Sequence, residues 1–364
     1  MSKKILITGG SGFIAHHIIE HLLKNTDWEI ISMDRLSTSG NLNRLADLEI
    51  WEKEKHRVKN VFHDLRSQVN DFVSKEIGVV DYVLHMAAST HVDRSIVDPM
   101  SFVLDNVVAT TNILLWARDH GLRRENGPES PIKGVFVYFS TDEVFGPAPE
   151  GTAYMEWHRY NSGNPYAAAK AGGEEMALAF ANTYFMPIVI THTMNVFGER
   201  QHPEKFIPLV IKKILNGEKI TIHANKDKTK AGSRFWIHAR NVAGAMMHIL
   251  ARYDHEDPYN VMPHGTYWHG NPYADKFNIV GEEEVDNLQM AQFIFDTICE
   301  LDPETPRKFD YEMVDFHSSR PGHDLRYALD GKKLKEMGWS LPLTFQDSLR
   351  KTVEWTIKNK DRWL

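Results

Sequence analysis

The sequence predicts an α/β fold with a doubly wound parallel sheet and a smaller α/β region attached, and three observations carry that prediction. Short apolar runs alternate with helical patterns through the first 140 residues. A glycine-rich turn, Thr8-Gly9-Gly10-Ser11-Gly12-Phe13-Ile14-Ala15, follows the first run and opens the first helical pattern. After residue 195 the alternation gives way to a different pattern.

Lys4–Thr8, Glu29–Met33, Val58–His63, Tyr82–His85 and Val135–Ser140 have the length and apolar content of buried strands. Helical patterns, for example Ile14–Lys24 and Phe102–His120, separate them. Such alternation implies βαβ units and a ligand site beyond the strand carboxyl ends. Ala167–Tyr184 reads as a helix despite Gly172 and Gly173, each about 1 kcal/mol less favourable than alanine there. Small residues suit close approach to a neighbour or a ligand. Pro187–Thr193 reads as a further strand, and Leu209–Asn216, Asn241–Ala251, Asn287–Glu300 and Thr344–Asn359 as helices. Asn225–Ser233 is a charged loop. Tyr253–Lys276, rich in His, Pro, Gly, Asn and aromatics, reads as a long ordered loop or an insertion.

With 364 residues, 42% hydrophobic and 25% charged, the chain can bury a sizeable core as one large domain or two. The net charge of −7 argues against general attraction to nucleic acid or acidic membranes. Cys299 is the sole cysteine, which excludes an intrachain disulfide and a cysteine-built metal site. No signal peptide or membrane span is expected, and the expected location is cytoplasmic. His17 and His21 have the i, i+4 spacing of zinc ligands, but no third ligand is evident and no metal is expected.

The glycine turn reads as G-x-G-x-x-A from Gly10 or as G-x-x-G-x-x-A from Gly9. Either places backbone beside a pyrophosphate at a helix amino end. Asp34, at the end of the second strand, can accept hydrogen bonds from adenosine ribose hydroxyls and favours NAD over NADP; Arg35 is a counter-signal. Tyr166 and Lys170 are spaced i, i+4 and share a helix face. An ammonium beside a phenol lowers the tyrosine pKa and makes a general base. Thr141 can hydrogen-bond the same substrate oxygen. Asp142 and Glu143 add a second acid and a second base, and two acid–base pairs suit elimination of water. Side by side, their repulsion tends to raise one pKa.

These segments resemble the extended short-chain dehydrogenases/reductases, and within them the nucleotide-sugar 4,6-dehydratases, with the dTDP-glucose 4,6-dehydratases nearest. The resemblance runs nearly end to end. It covers the glycine turn, His85–Ala88, His91–Ser95, Ser140–Gly146, Asn164–Tyr166, Pro203–Pro208, Phe277–Ile279 and Arg320–Tyr327. It implies a Rossmann-like NAD-binding domain, 1–194 plus 234–255, and a nucleotide-sugar-binding domain, 195–233 plus 256–364. Tyr166, with Lys170 and Thr141, would remove the O4 proton; Glu143 would take the C5 proton, and Asp142 would protonate the departing O6. The implied NAD contacts are Gly9, Gly12, Phe13, Ile14, Asp34, Asp64, Leu65, Ala87, Tyr166, Lys170 and Val196. The implied substrate contacts are Thr90, Thr141, Asn195, Lys205, Phe206, Arg234, Asn287, Arg320 and His323. The partners implied are a nucleotide-diphosphate sugar and a second copy of the chain.

The chain departs from the dehydratase pattern at Phe145, a tyrosine there, at Ser89, a glutamate there, at Thr221-Ile222-His223 and at His238-Ala239-Arg240-Asn241. The departures point to altered substrate choice with the chemistry retained. Two rival readings stand: a 4-epimerase or decarboxylase using the same tyrosine, and a nucleotide-sensing scaffold.

Overall fold

Side chains alternate across a strand, and along the central strands that alternation feeds two separate cores. Ile5, Ile7, Ile30, Val135, Val137 and Val189 face one; Leu6, Ile31, Met33, Phe136, Tyr138 and Ile190 face the other. The computed structural model describes residues 2–37, 39–122, 134–253, 274–305, 307–315 and 325–364.

Six strands come first: β1 (Lys4–Thr8), β2 (Glu29–Asp34), β3 (Val58–Phe62), β4 (Tyr82–His85), β5 (Val135–Thr141) and β6 (Ile188–Thr193). Then follow β7 (Val196–Phe197), β8 (Ile220–Ala224), β9 (Ser233–Phe235), β10 (Ile237–His238), β11 (Ala274–Ile279), β12 (Glu284–Asp286) and β13 (Tyr311–Asp315). The central sheet runs β11-β6-β5-β4-β1-β2-β3, and every pairing in it is parallel. Strand order reverses between β1 and β4, the switch point where such sheets bind ligands. The helices Phe13–Asn25 and Ala239–Ala251 feed the first core. Asp71–Ile77, Ala109–Asp119 and Pro165–Tyr184 feed the second. A third core joins the helices Phe206–Asn216, Asn287–Leu301 and Phe345–Lys358 around Phe197, Ile222 and Trp236.

One expected boundary changes. Ala274–Ile279, grouped by the sequence with the second domain, is the edge strand of the central sheet beside β6. The rest of Tyr253–Lys276 after Tyr253 and before Ala274 lies outside the described residues.

The helix expected over Phe102–His120 begins at Pro99 and contains a π turn, Leu104–Val108, between the α segments Pro99–Val103 and Ala109–Asp119. It is long and apolar enough to cross a membrane, against the expectation of no such stretch. Here it packs on the sheet, with Asp105, Asn106 and Thr110 buried. Its approach explains Gly173: a Cβ there would stand 2.3 Å from the Asn106 carbonyl oxygen and 2.4 Å from the Tyr138 hydroxyl. The small residues of Pro165–Tyr184 therefore serve a neighbouring helix.

Candidate active site

The carboxyl ends of the central strands open into one cavity of about 490 Å³. Every described residue of the expected cofactor and substrate sets lines it. Arg320 and His323 lie outside the described residues.

At the cofactor end, Gly9 has φ +70°, and a Cβ on it would come within 2.9 Å of the Ala87 backbone. That close approach is held by Thr8, whose Oγ1 accepts the N–H groups of Met86 and Ala87 at 3.2 Å and bonds His85 Nδ1 at 2.7 Å. Gly12 caps the helix Phe13–Asn25 without a side-chain bond, so its amino end stays open to the cavity. Asp34 accepts from Ser11 N at 3.1 Å and from Leu36 N at 2.7 Å. A cradle that any Cβ would fill, an open helix amino end and a carboxylate at the strand end fit a dinucleotide. His17, by contrast, is buried and bonds the Glu199 carbonyl oxygen at 3.2 Å.

At the reactive end, β5 stops at Thr141 and a 3₁₀ turn carries Asp142 and Glu143. Thr141 Oγ1 donates to Asp142 Oδ1 at 3.0 Å and accepts from Glu143 N at 3.4 Å, and Tyr166 lines the same cavity. Asn164 holds two elements together. Its Oδ1 accepts from Ala167 N at 2.8 Å, capping the helix that carries Tyr166, while its Nδ2 donates to Glu143 Oε2 at 3.1 Å.

Asp142 is buried, and among the described residues its Oδ2 has no hydrogen-bond partner. Burial first, and the Glu143 charge second, push its carboxyl up to about 7, against the opposing pull of Arg234. Repulsion, the cause expected from the sequence, therefore ranks behind burial.

A second expectation is corrected. Burial, with the Glu143 charge, raises the Tyr166 phenol above its ordinary value instead of lowering it. Lys170 gives the reason: its Nζ donates to the Phe139 carbonyl at 2.6 Å, lies 4.2 Å from the Tyr138 ring centroid, and is pushed down to about 7 by burial. Phe145 is packed between Tyr154, Tyr160 and His192, so its missing hydroxyl leaves a filled apolar site.

The far end holds Lys205, Phe206, Arg234 and Asn287 together with Trp236, His223 and Tyr327. Arg234 Nη1 donates to the carbonyls of Ser233 and Leu325 at 2.6 and 2.9 Å, and its guanidinium lies 4.6 Å from the Tyr327 ring. Phe206 and Trp236 stack at 6.0 Å. Trp236 and the Phe139 carbonyl were not expected from the sequence, because no motif or spacing marks them. Asn164 could have been found, since an asparagine before a proline at a helix start is a cap signal.

Fold and site together define a nicotinamide-dependent enzyme of the extended short-chain dehydrogenase/reductase type. Residues 5–262 match the model of the NAD dependent epimerase/dehydratase family. The chain is 31% identical to a dTDP-glucose 4,6-dehydratase of Escherichia coli over 99% of its own length and 95% of that protein's. It is 33% identical to that of Neisseria gonorrhoeae, over 99% and 97%. Among solved structures, the dTDP-glucose 4,6-dehydratase of Streptomyces venezuelae with NAD and TYD bound superposes with a TM-score of 0.79 at 30% identity, covering 99% and 98% of the two chains. A UDP-glucose 4-epimerase of Thermus thermophilus in complex with NAD gives 0.75 at 25%, covering 97% and 98%. The chain belongs to the NAD dependent epimerase/dehydratase family, and its cofactor is NAD.

Proposed function

We propose that the enzyme removes water from a nucleotide-diphospho-hexose of the dTDP-glucose kind, giving a 4-keto-6-deoxy sugar with the hydride returned internally. One observation carries this reading: a buried carboxyl at Asp142, near 7 and with an oxygen that has no partner among the described residues, stands beside Glu143 in the cavity that holds Tyr166. An enzyme that only oxidises and reduces at C4 needs the tyrosine; the adjacent acid and base serve a further step.

Bound NAD supplies a hydride acceptor that is regenerated within each turnover. Gly9, Gly12, Phe13, Ile14 and Ala87 would hold its diphosphate end, Asp34 its ribose, Asp64 and Leu65 its adenine side, and Val196 and Lys170 its reactive end. Tyr166, in its phenolate form, accepts the O4 proton and becomes the neutral phenol, and Thr141 holds the same oxygen in line. A ketone at C4 acidifies C5–H, and Glu143, oriented by Asn164, takes that proton. Asp142, protonated below about 7, delivers a proton to O6 as the C6–O bond breaks. Lys205 and Arg234 suit the diphosphate, since guanidinium and ammonium groups pair with phosphate oxygens. Thr90, Asn195, Phe206 and Asn287 complete the substrate wall.

Incubation with dTDP-, UDP-, CDP- and GDP-glucose, read by mass spectrometry, tests the reading. Loss of one water is expected; an isomer of unchanged mass would instead establish a 4-epimerase. The exposed apolar residues Val97, Met100 and Val103 fit coverage by a second copy of the chain, and light scattering at the mass of two chains is the expected result.

A further inference from the structure

Arg35 follows Asp34 directly, and an arginine near that carboxylate ordinarily accommodates the 2′-phosphate of NADP. Its guanidinium is turned elsewhere. Nη2 donates to Asp105 Oδ2 at 2.8 Å, and Nη1 reaches the two oxygens of Asp64 at 3.3 and 3.4 Å. Asp105 is 6% exposed and is itself held from three sides. Arg66 Nε donates to its Oδ1 at 2.6 Å, and Ser89 Oγ donates to its Oδ2 at 2.6 Å.

Asp105 reaches this place from the π turn of the helix behind the sheet. The next residue locks the same loop from the other side: Asn106 Oδ1 accepts from Ser89 N at 2.9 Å and its Nδ2 donates to Ser89 O at 3.0 Å. Asp34, Arg35, Asp64 and Asp105 all line the cofactor end of the cavity. The strongest bond that holds Arg35 away from the ribose side of Asp34 is therefore the one to Asp105.

We propose that Asp105 determines cofactor choice by positioning Arg35: it keeps that guanidinium on the adenine-side carboxylates, so that Asp34 alone meets the ribose hydroxyls and NADP is refused. Without Asp105, Arg35 keeps only the two longer contacts to Asp64. A released guanidinium beside a 2′-phosphate forms paired, charge-assisted bonds, and Asp105 withholds it.

Calorimetry on nucleotide-stripped protein measures the dissociation constants of NAD and NADP. For Asp105→Asn, the ratio of the NADP constant to the NAD constant is expected to fall by about tenfold or more, the scale of one additional charge-assisted bond. Adding Arg35→Ala should restore the native ratio. A parallel loss of affinity for both nucleotides, or an equal fall in the double variant, would overturn the proposal. Should Asp105→Asn fail to fold, Arg35→Ala in the otherwise native chain decides: an unchanged ratio supports a guanidinium held aside. NADP binding weakened about tenfold or more relative to NAD would show that Arg35 already meets the phosphate, and would sink the proposal.

Discussion

Two buried carboxylates, one beside the helix Pro165–Tyr184 and one on it, have been moved in opposite directions by their surroundings. Asp142 sits in the cavity with the Glu143 charge beside it and, among the described residues, no bond on Oδ2, and its carboxyl is pushed up to about 7. Glu174, one turn beyond Lys170, is fully buried, yet it is held down at about 2. Burial raises both. At Glu174, however, His192 Nε2 at 3.1 Å and Lys276 Nζ at 2.9 Å outweigh it. Depth alone therefore does not set the protonation of a buried carboxyl; the charge brought to meet it does. Glu174 is paired with two basic side chains where helix meets strand, whereas among the described residues Asp142 Oδ2 has no partner, at the place where the proposed reaction would move a proton.

The largest expected effect falls on the unpaired side. Asp142→Asn and Glu143→Gln should each lower turnover by about 10²–10⁴-fold, the usual worth of a general acid or base, with the fold intact by circular dichroism. A loss below about tenfold would break the contrast, because Asp142 would then be as structural as Glu174. Glu174→Gln should lower stability by about 3–5 kcal/mol in denaturant unfolding, since it strands the Lys276 charge. Turnover per folded molecule should change far less, and a collapse of turnover at unchanged stability would reverse the assignment.

The pH dependence sharpens the same comparison. The acid form of Asp142 exists below about 7, so the elimination rate should fall as pH rises through that value. Glu174, held at about 2, contributes nothing in that window. The residual rate of Asp142→Asn should lack the falling limb. The smallest effect is on stability. The folded pKa of Asp142 lies above its ordinary 3.8, so its contribution to stability is lost as pH rises from about 4 to about 7. Asp142→Asn should therefore be more stable than the native chain at about pH 8, by about 1–2 kcal/mol, and no more stable at about pH 3.5. Melting curves at the two pH values check the sign.

Much of the frame was legible because it is local. The five early strands, the glycine turn and the helix through Tyr166 and Lys170 announce themselves by periodicity and spacing, and the structure brings their expected site residues into one cavity. The rest depends on distant partners. Ala274–Ile279 is half polar and its sequence does not alternate along its whole length, so only its pairing with β6 reveals it as a sheet strand. The i, i+4 spacing places Lys170 on the face of Tyr166, but the Phe139 carbonyl that takes its ammonium is 31 residues away. Pairing strands such as β8 and β13 are short and far apart in sequence, Ile220 standing opposite Tyr311. Burial of Asp142 is likewise a property of the assembled cavity, and no neighbour in sequence reports it.

The π turn at Leu104–Val108 has a consequence for how this helix can change over generations. A residue added to or removed from an α-helix rotates everything beyond it by about 100°, because about 3.6 residues make a turn. Substitutions along Pro99–Asp119 alter one side chain's surroundings at a time. A single deletion within the wide turn instead closes it to an ordinary α turn and leaves the apolar residues Ile113, Leu114 and Ala117 in register with the half that carries Met100 and Val103. Length is fixed by register along the two α segments, and the wide turn is the place where it can change.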